Sequence, residues 1–139
     1  MDIIDKYLKL AGEGKFEEGL PLIEEILERN KSIRTSWFNY GICLYELKRF
    51  GEAATAFNKA YELKPEDGGA LYRCCISLAA NGDHKGLLQI FFKECERDSS
   101  MINLFLSEKV FSKYFEHEDF KELVEKYRHA RKYWWQFWK

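Results

Sequence analysis

Between residues 34 and 67 the apolar positions fall into two runs. Trp37, Tyr40, Ile42, Leu44 and Leu47 recur close to the three-to-four spacing of one helix face. Ala53, Ala54, Ala56, Phe57, Ala60, Tyr61 and Leu63 do so again. The segment between them, Lys48-Arg49-Phe50-Gly51-Glu52, is too short to cross anything, so the pattern predicts two antiparallel helices joined by a tight turn. Gly41, Ala53 and Ala60 are small, which lets two helix backbones approach while Trp37, Leu44 and Phe57 interdigitate around them. Gly41 costs its helix up to about 1 kcal/mol relative to alanine, and close approach to the second helix is the expected compensation. Pro65 pushes Lys64 out of the helical region and ends the second helix.

Shifting this stretch back by 34 residues sets Gly14-Lys15-Phe16-Glu17-Glu18-Gly19 opposite Lys48-Arg49-Phe50-Gly51-Glu52-Ala53 and predicts helices near 2–13 and 16–30. Tyr7 then stands where the central hairpin has Gly41, and Gly19 where it has Ala53. A large residue opposite none at all conserves volume, so a methyl added at Gly19 is expected to crowd Tyr7 and destabilise. Pro21 falls within the first turns of its helix, where proline is best tolerated. Shifting forward by the same step predicts helices near 69–81 and 84–97, with Asn81-Gly82 as the breaker and Asp83 as the N-cap. Cys75 and Leu87 replace the small residues there. Beyond Asp98-Ser99-Ser100, helical spacing resumes at Ile102, Phe105, Leu106, Val110 and Tyr114. Asp119 is expected to cap a last helix running through Phe120, Leu123, Val124, Tyr127, Ala130 and Trp134. Its start echoes 14–19 two residues out of phase, as a degenerate fourth hairpin closing a stack.

Trp37, Gly41, Ala53, Phe57, Ala60 and Pro65, repeated at this period, resemble the tetratricopeptide repeat. The resemblance covers residues 1–98. It implies an all-α fold: a right-handed superhelical solenoid of three hairpins over 1–33, 34–67 and 68–98, with a helical cap over 99–139, all in one domain. It also implies a protein-interaction module or adaptor, in which the first helix of each hairpin lines a concave groove. Carried over position by position, the groove holds Ile4 and Leu8, then Thr35, Phe38, Asn39, Ile42 and Tyr45, then Tyr72, Arg73, Ile76 and Ala80. The expected partner-binding residues are Phe38, Asn39, Ile42, Tyr45, Tyr72, Arg73 and Ile76, with a peptide or a partner helix as ligand. One subclass of the family grips the C-terminal carboxylate of heat-shock chaperones with five polar residues. Asn39 and Arg73 match two of those five, while Ile4, Leu8 and Gly69 stand at the other three, so chaperone-tail capture is not expected. Two readings of Asn39 and Arg73 stay open: they hold a peptide backbone or carboxylate, or they are ordinary polar groups in a wet groove.

Composition narrows the function further. The chain has 139 residues, 46% apolar, 32% charged and 17% aromatic, as for a globular domain. With 22 basic and 23 acidic residues there is no global steering toward nucleic acid or membrane, and no nucleic-acid partner is expected. Asp2 and Asp5 flank only two isoleucines, so no signal peptide is expected, and no apolar run approaches the ~18 residues that span a bilayer. No nucleophile elbow, phosphate loop or zinc-protease helix is present, and the carboxylates near Glu24, Glu25 and Glu28 read as a solvated face, so no enzyme and no cofactor are expected. Cys43, Cys74, Cys75 and Cys95 lack zinc-ligand spacing. A soft metal on vicinal Cys74-Cys75 is the alternative to small core residues in a reducing cytoplasm. The aromatic end of the chain carries three readings: core, a sticky surface for a partner or second copy through Trp135, Phe137 and Trp138, or a membrane interface. Self-assembly through that tail, or a peripheral membrane adaptor, are the alternatives to groove binding, although a membrane partner is not expected. Trp134 is expected in the core and Trp135 outside it.

Overall fold

The computed structural model describes residues 1–66 and 68–134, with side chains through residue 127. It is all-α, with no strand among the described residues. The helices are α1 (Ile3–Gly12), α2 (Phe16–Arg29), α3 (Arg34–Glu46), α4 (Phe50–Leu63), α5 (Gly68–Ala80), α6 (His84–Arg97), α7 (Met101–Ser107) and α8 (Glu118–Trp134), with a 3-10 segment (Lys109–Tyr114) between the last two. The chain divides into two compact units, 1–81 and 82–139.

The period is visible in the backbone. Helices α2, α4, α6 and α8 begin at residues 16, 50, 84 and 118, a constant step of 34. The turns before the first three of them use a left-handed residue at the same step: Gly14 at φ 74°, Lys48 at 62° and Gly82 at 71°. In the first two turns the next amide reaches back to close the helix end, Lys15 N–H to the Leu10 carbonyl and Arg49 N–H to that of Leu44, each at 2.8 Å. Asp83 caps α6 as expected, its Oδ1 accepting from Gly86 N–H at 2.9 Å. The fourth hairpin differs from expectation in two ways. Its second helix begins in phase with the others, not two residues late. Asp119 sits within the first turn of α8 and does not cap it; the His117 carbonyl accepts the Lys121 N–H one turn further on, at 2.9 Å.

In the first unit α1 packs on α2, α2 on α3, α3 on α4 and α4 on α5. The closest approach is at Gly41. A Cβ built there would lie 2.7 Å from both Cδ1 and Cε1 of Phe57, a ring with no exposed surface. Ala53, Ala60, Cys43, Leu44, Cys74 and Cys75 fill the remaining space and are likewise buried. Burial pushes the Cys43 thiol up to about 11 and the Cys74 thiol to about 12, so these cysteines behave as small apolar side chains. Among the described residues no three His, Cys, Asp or Glu side chains are grouped to hold a metal ion.

The second unit accounts for much of the aromatic content. Phe91 of α6 stacks on Phe105 of α7 at 3.8 Å between centroids and meets Phe111 and Phe120 edge-on at 5.1 and 5.6 Å. Large rings here do what small residues do in the central hairpin. They fill the space between helices whose backbones cannot close up, and such ring pairs add about 0.5–1.5 kcal/mol beyond their burial. α8 is fastened to α6 by Glu96, which accepts from the Tyr127 hydroxyl at 2.9 Å and from Lys126 at 3.2 Å. The Tyr127 hydroxyl, ahead of Lys126, holds the Glu96 carboxyl below its usual range.

Gly19 corrects one expectation. Tyr7 does face it, but an added Cβ would lie 3.4 Å from Cδ2 and Cε2 of that ring, an ordinary contact and not a clash. Gly19→Ala is therefore expected to stabilise by up to about 1 kcal/mol, the helix-propensity difference. Gly41→Ala is expected to destabilise, because overpacking costs about 1–3 kcal/mol against that same gain. Urea titration of both variants measures the contrast, and equal midpoints would show that the two glycines are equivalent. Lys48 adopts the left-handed conformation that glycine takes at 14 and 82. Lys48→Gly should stabilise by roughly 1 kcal/mol and so raise the midpoint, and a loss would mean that the lysine side chain contributes more than the backbone strain costs.

Candidate functional site

The expected site residues lie on α3 and α5, both in the first unit. Phe38, Ile42 and Tyr45 are spaced four and three apart, which puts them on one face of α3, and all three are half-buried. Tyr72 and Ile76 repeat that spacing on α5, Tyr72 exposed and Ile76 half-buried. Ile4 and Leu8 hold the matching positions of α1 and are 51% and 52% exposed. Two rows of apolar positions thus run at the repeat step, 4, 38 and 72, and 8, 42 and 76.

Three contacts tie these residues together. Phe57 receives the Phe38 ring edge-on, centroids 5.5 Å apart, so the site rests directly on the core of the α3–α4 hairpin. The Arg73 guanidinium carbon lies 5.4 Å from the centre of the Phe38 ring, which brings α5 and α3 to one place. The Tyr7 hydroxyl donates to the Asn39 carbonyl at 3.0 Å, tying α1 to α3. Asn39 itself is half-buried. Tyr45 turns toward the hairpin turn, its ring edge-on to Phe50 at 5.1 Å.

One residue was missed in the sequence reading. Arg34 places a second guanidinium carbon 4.6 Å from the Phe38 ring centre. The signal was present, since Arg34 precedes Phe38 by four residues and shares its helix face. Of the residues forming α3 and α5, only Arg34, Glu46 and Arg73 carry charge. The surface is therefore apolar and aromatic, with two cations at one aromatic ring.

The second unit holds a separate depression between α6 and α8, about 730 Å³, whose apolar floor includes Leu88, Phe92 and Leu123. The rings of His84 and His117 stand 5.3 Å apart at one end, and Lys126 lies 4.6 Å over the Phe92 ring at the other. The tail residues Trp135, Phe137 and Trp138, and the side chain of Trp134, lie outside the described residues. No helix among the described residues is long and apolar enough to cross a membrane.

Comparison with known proteins bears on the same region. Residues 9–68 match a family model described as "Tetratricopeptide repeat". A similar protein, "Tetratricopeptide repeat protein 16" of Macaca fascicularis, is 32% identical over 66 residues, which is 48% of this chain and 8% of that protein. The match thus spans less than a tenth of the relative's length.

The Tyr7 hydroxyl gives the site a pH signature. Burial, then the neighbouring Cys43 thiol, raises its pKa from 10.0 to about 12. The fold therefore favours the neutral phenol. Its contribution is complete below pH 10, where unfolded tyrosine is also neutral, and is lost as pH rises through 10 toward 12. Tyr7→Phe should cost about 0.5–1.5 kcal/mol at pH 7 through the lost hydrogen bond. It should also lose less stability than wild type between pH 10 and 12. Thermal melts across that range provide the check; parallel curves would place the alkaline sensitivity elsewhere.

Proposed function

We propose that this chain is an adaptor taking a peptide or helix of a partner protein along α1, α3 and α5; it matches the tetratricopeptide-repeat family, whose repeats generally mediate protein–protein interaction and are typically not enzymes. The observation that carries this reading is the pair of apolar rows, with Ile4 and Leu8 left more than half exposed. Monomeric proteins rarely leave aligned apolar side chains uncovered without use. Phe38, Ile42, Tyr45, Tyr72 and Ile76 supply apolar area, while Asn39 and Arg73 supply orientation. The four buried thiols support a reducing, cytoplasmic setting.

Fold alone does not fix function, so the test must address the surface itself. Ile4→Asp with Leu8→Asp changes only exposed side chains and should leave the melting temperature within a few degrees of wild type. Proteins retained from native lysate by the wild-type chain should be lost by this variant. Equal retention by both would move the binding surface away from α1, α3 and α5.

A further inference from the structure

We propose that His84 and His117 form a binding site for a divalent transition cation of the Zn(II) type, which joins the start of α6 to the start of α8. The site lies wholly within the second unit and is independent of the groove reading above.

The repeat brings the two imidazoles together. His84 is the first residue of α6, and His117 immediately precedes α8, one position short of the 34-residue step. Each backbone position is pinned by a helix start. Asp83 Oδ1 accepts from Gly86 N–H at 2.9 Å, and the His117 carbonyl accepts from Lys121 N–H at 2.9 Å. A third ring, the buried Tyr114, sets the place of both: its centroid is 5.0 Å from that of His84 and 5.9 Å from that of His117. The two imidazole centroids then stand 5.3 Å apart.

That separation suits a shared metal ion. Two imidazole nitrogens at about 2.1 Å from one tetrahedral ion put their ring centres roughly 5 Å apart. The ring planes are tilted by 35°. Turning each ring about its Cβ–Cγ bond, a broad torsion, aims a nitrogen at the point between them without moving either backbone. Both side chains are exposed, so an ion enters directly from solvent. Among the described residues neither imidazole makes a hydrogen bond or an ion pair, so no partner has to be displaced.

The surroundings favour a cation. Asp119 and Glu122 line the same depression, and Glu116 and Glu118 flank His117 in sequence. Of the nearby cations, Lys121 is paired with Glu116 and Glu118 at 3.8 and 3.7 Å, and Lys126 with Glu96 at 3.2 Å. Lys113 lies over the Tyr114 ring, which leaves Lys85 at the rim. Among the described residues no third His, Cys, Asp or Glu joins the pair, so water takes the remaining coordination positions. Imidazole as the protein donor selects Zn(II), Ni(II) and Cu(II) over Mg(II) and Ca(II), which take oxygen. Glu96 already fastens one end of the α6–α8 pair through Tyr127 and Lys126. A metal at His84 and His117 fastens the other, so occupancy and the stability of this unit are linked.

Calorimetric titration of the untagged full chain, kept reduced, tests the site with Zn(II) and Ni(II), and with Mg(II) as the negative arm. Wild type should bind one equivalent of Zn(II) or Ni(II) in the micromolar range and no Mg(II), and should melt at a higher temperature in Zn(II) than in EDTA. His84→Gln and His117→Gln should each weaken binding at least tenfold and remove the thermal shift, while melting in EDTA as wild type does. His129→Gln, which changes the remaining histidine of the chain, should bind like wild type. Wild type alone gives a second readout: substoichiometric Ni(II), which is paramagnetic, should broaden the ring-proton resonances of His84 and His117 before any others. Binding no tighter than millimolar overturns the proposal. So does an affinity unchanged in either His84→Gln or His117→Gln, or broadening that reaches His129 and surface carboxylates equally, which would mean adventitious metal only.

Discussion

The contact between Gly41 and Phe57 governs both the fold of the first unit and the site upon it. Because residue 41 has no side chain, the Phe57 ring lies directly on the backbone of α3, closer than any Cβ would permit. That sets the distance between α3 and α4. Phe57 also meets the Phe38 ring in an edge-on contact. Phe38 in turn holds two guanidinium groups. One chain of contacts runs from the most confined point of the core to the most chemically distinctive point of the surface.

The period of the backbone is more regular than the residues that fill it. The second helix of every hairpin starts on the same 34-residue step, although the side chains between helices change completely along the chain. In the central hairpin, glycine and alanine permit close approach. In the second unit, Phe91, Phe105, Phe111 and Phe120 fill the space between helices with stacked and edge-on rings. Both are solutions to the same packing requirement, since interiors tolerate changed side chains when total volume and patterning are kept. The left-handed turn residue shows the same economy of constraint. Its conformation recurs at 14, 48 and 82, while the residue there is glycine, lysine and glycine.

What the sequence made legible follows from this. Spacing identified which residues face each other: Gly41 with the second helix, Tyr7 with Gly19, Asp83 with the start of α6. Spacing does not measure distance. Tyr7 and Gly19 do face one another, but at 3.4 Å from a built Cβ to the ring, and that gap reverses the expected effect of a methyl group. The phase of α8 was misread because the motif 118–123 was aligned on its aromatic residue and not on the helix start. Asp119 looked like a cap because acidic residues favour both the cap and the first turn, and only backbone geometry separates the two. Arg34 lies outside the positions that the family resemblance assigns to the groove, and its approach to the Phe38 ring is a matter of side-chain placement that spacing does not give. That Arg73 and Phe38 meet needed the structure, since residues 35 apart in sequence share no local rule.

Phe38 illustrates why stability and recognition are hard to separate at this site. The half-buried ring packs against Phe57, so removing it would cost core packing, although less than the roughly 3–5 kcal/mol of a fully buried aromatic truncated to alanine. It would also release both guanidinium groups. A Phe38 variant that lost binding would therefore say little about which effect was responsible. Arg73, Ile4 and Leu8 differ in kind. Arg73 contacts the ring from outside the core, and the two aliphatic residues are mostly exposed. Their contribution to folding is small by the same area reasoning that makes their exposure notable. The side chains proposed for recognition are thus ones the fold depends on little, carried on a ring that packs against the core. Those exposed positions can therefore change while the 34-residue frame beneath stays as it is.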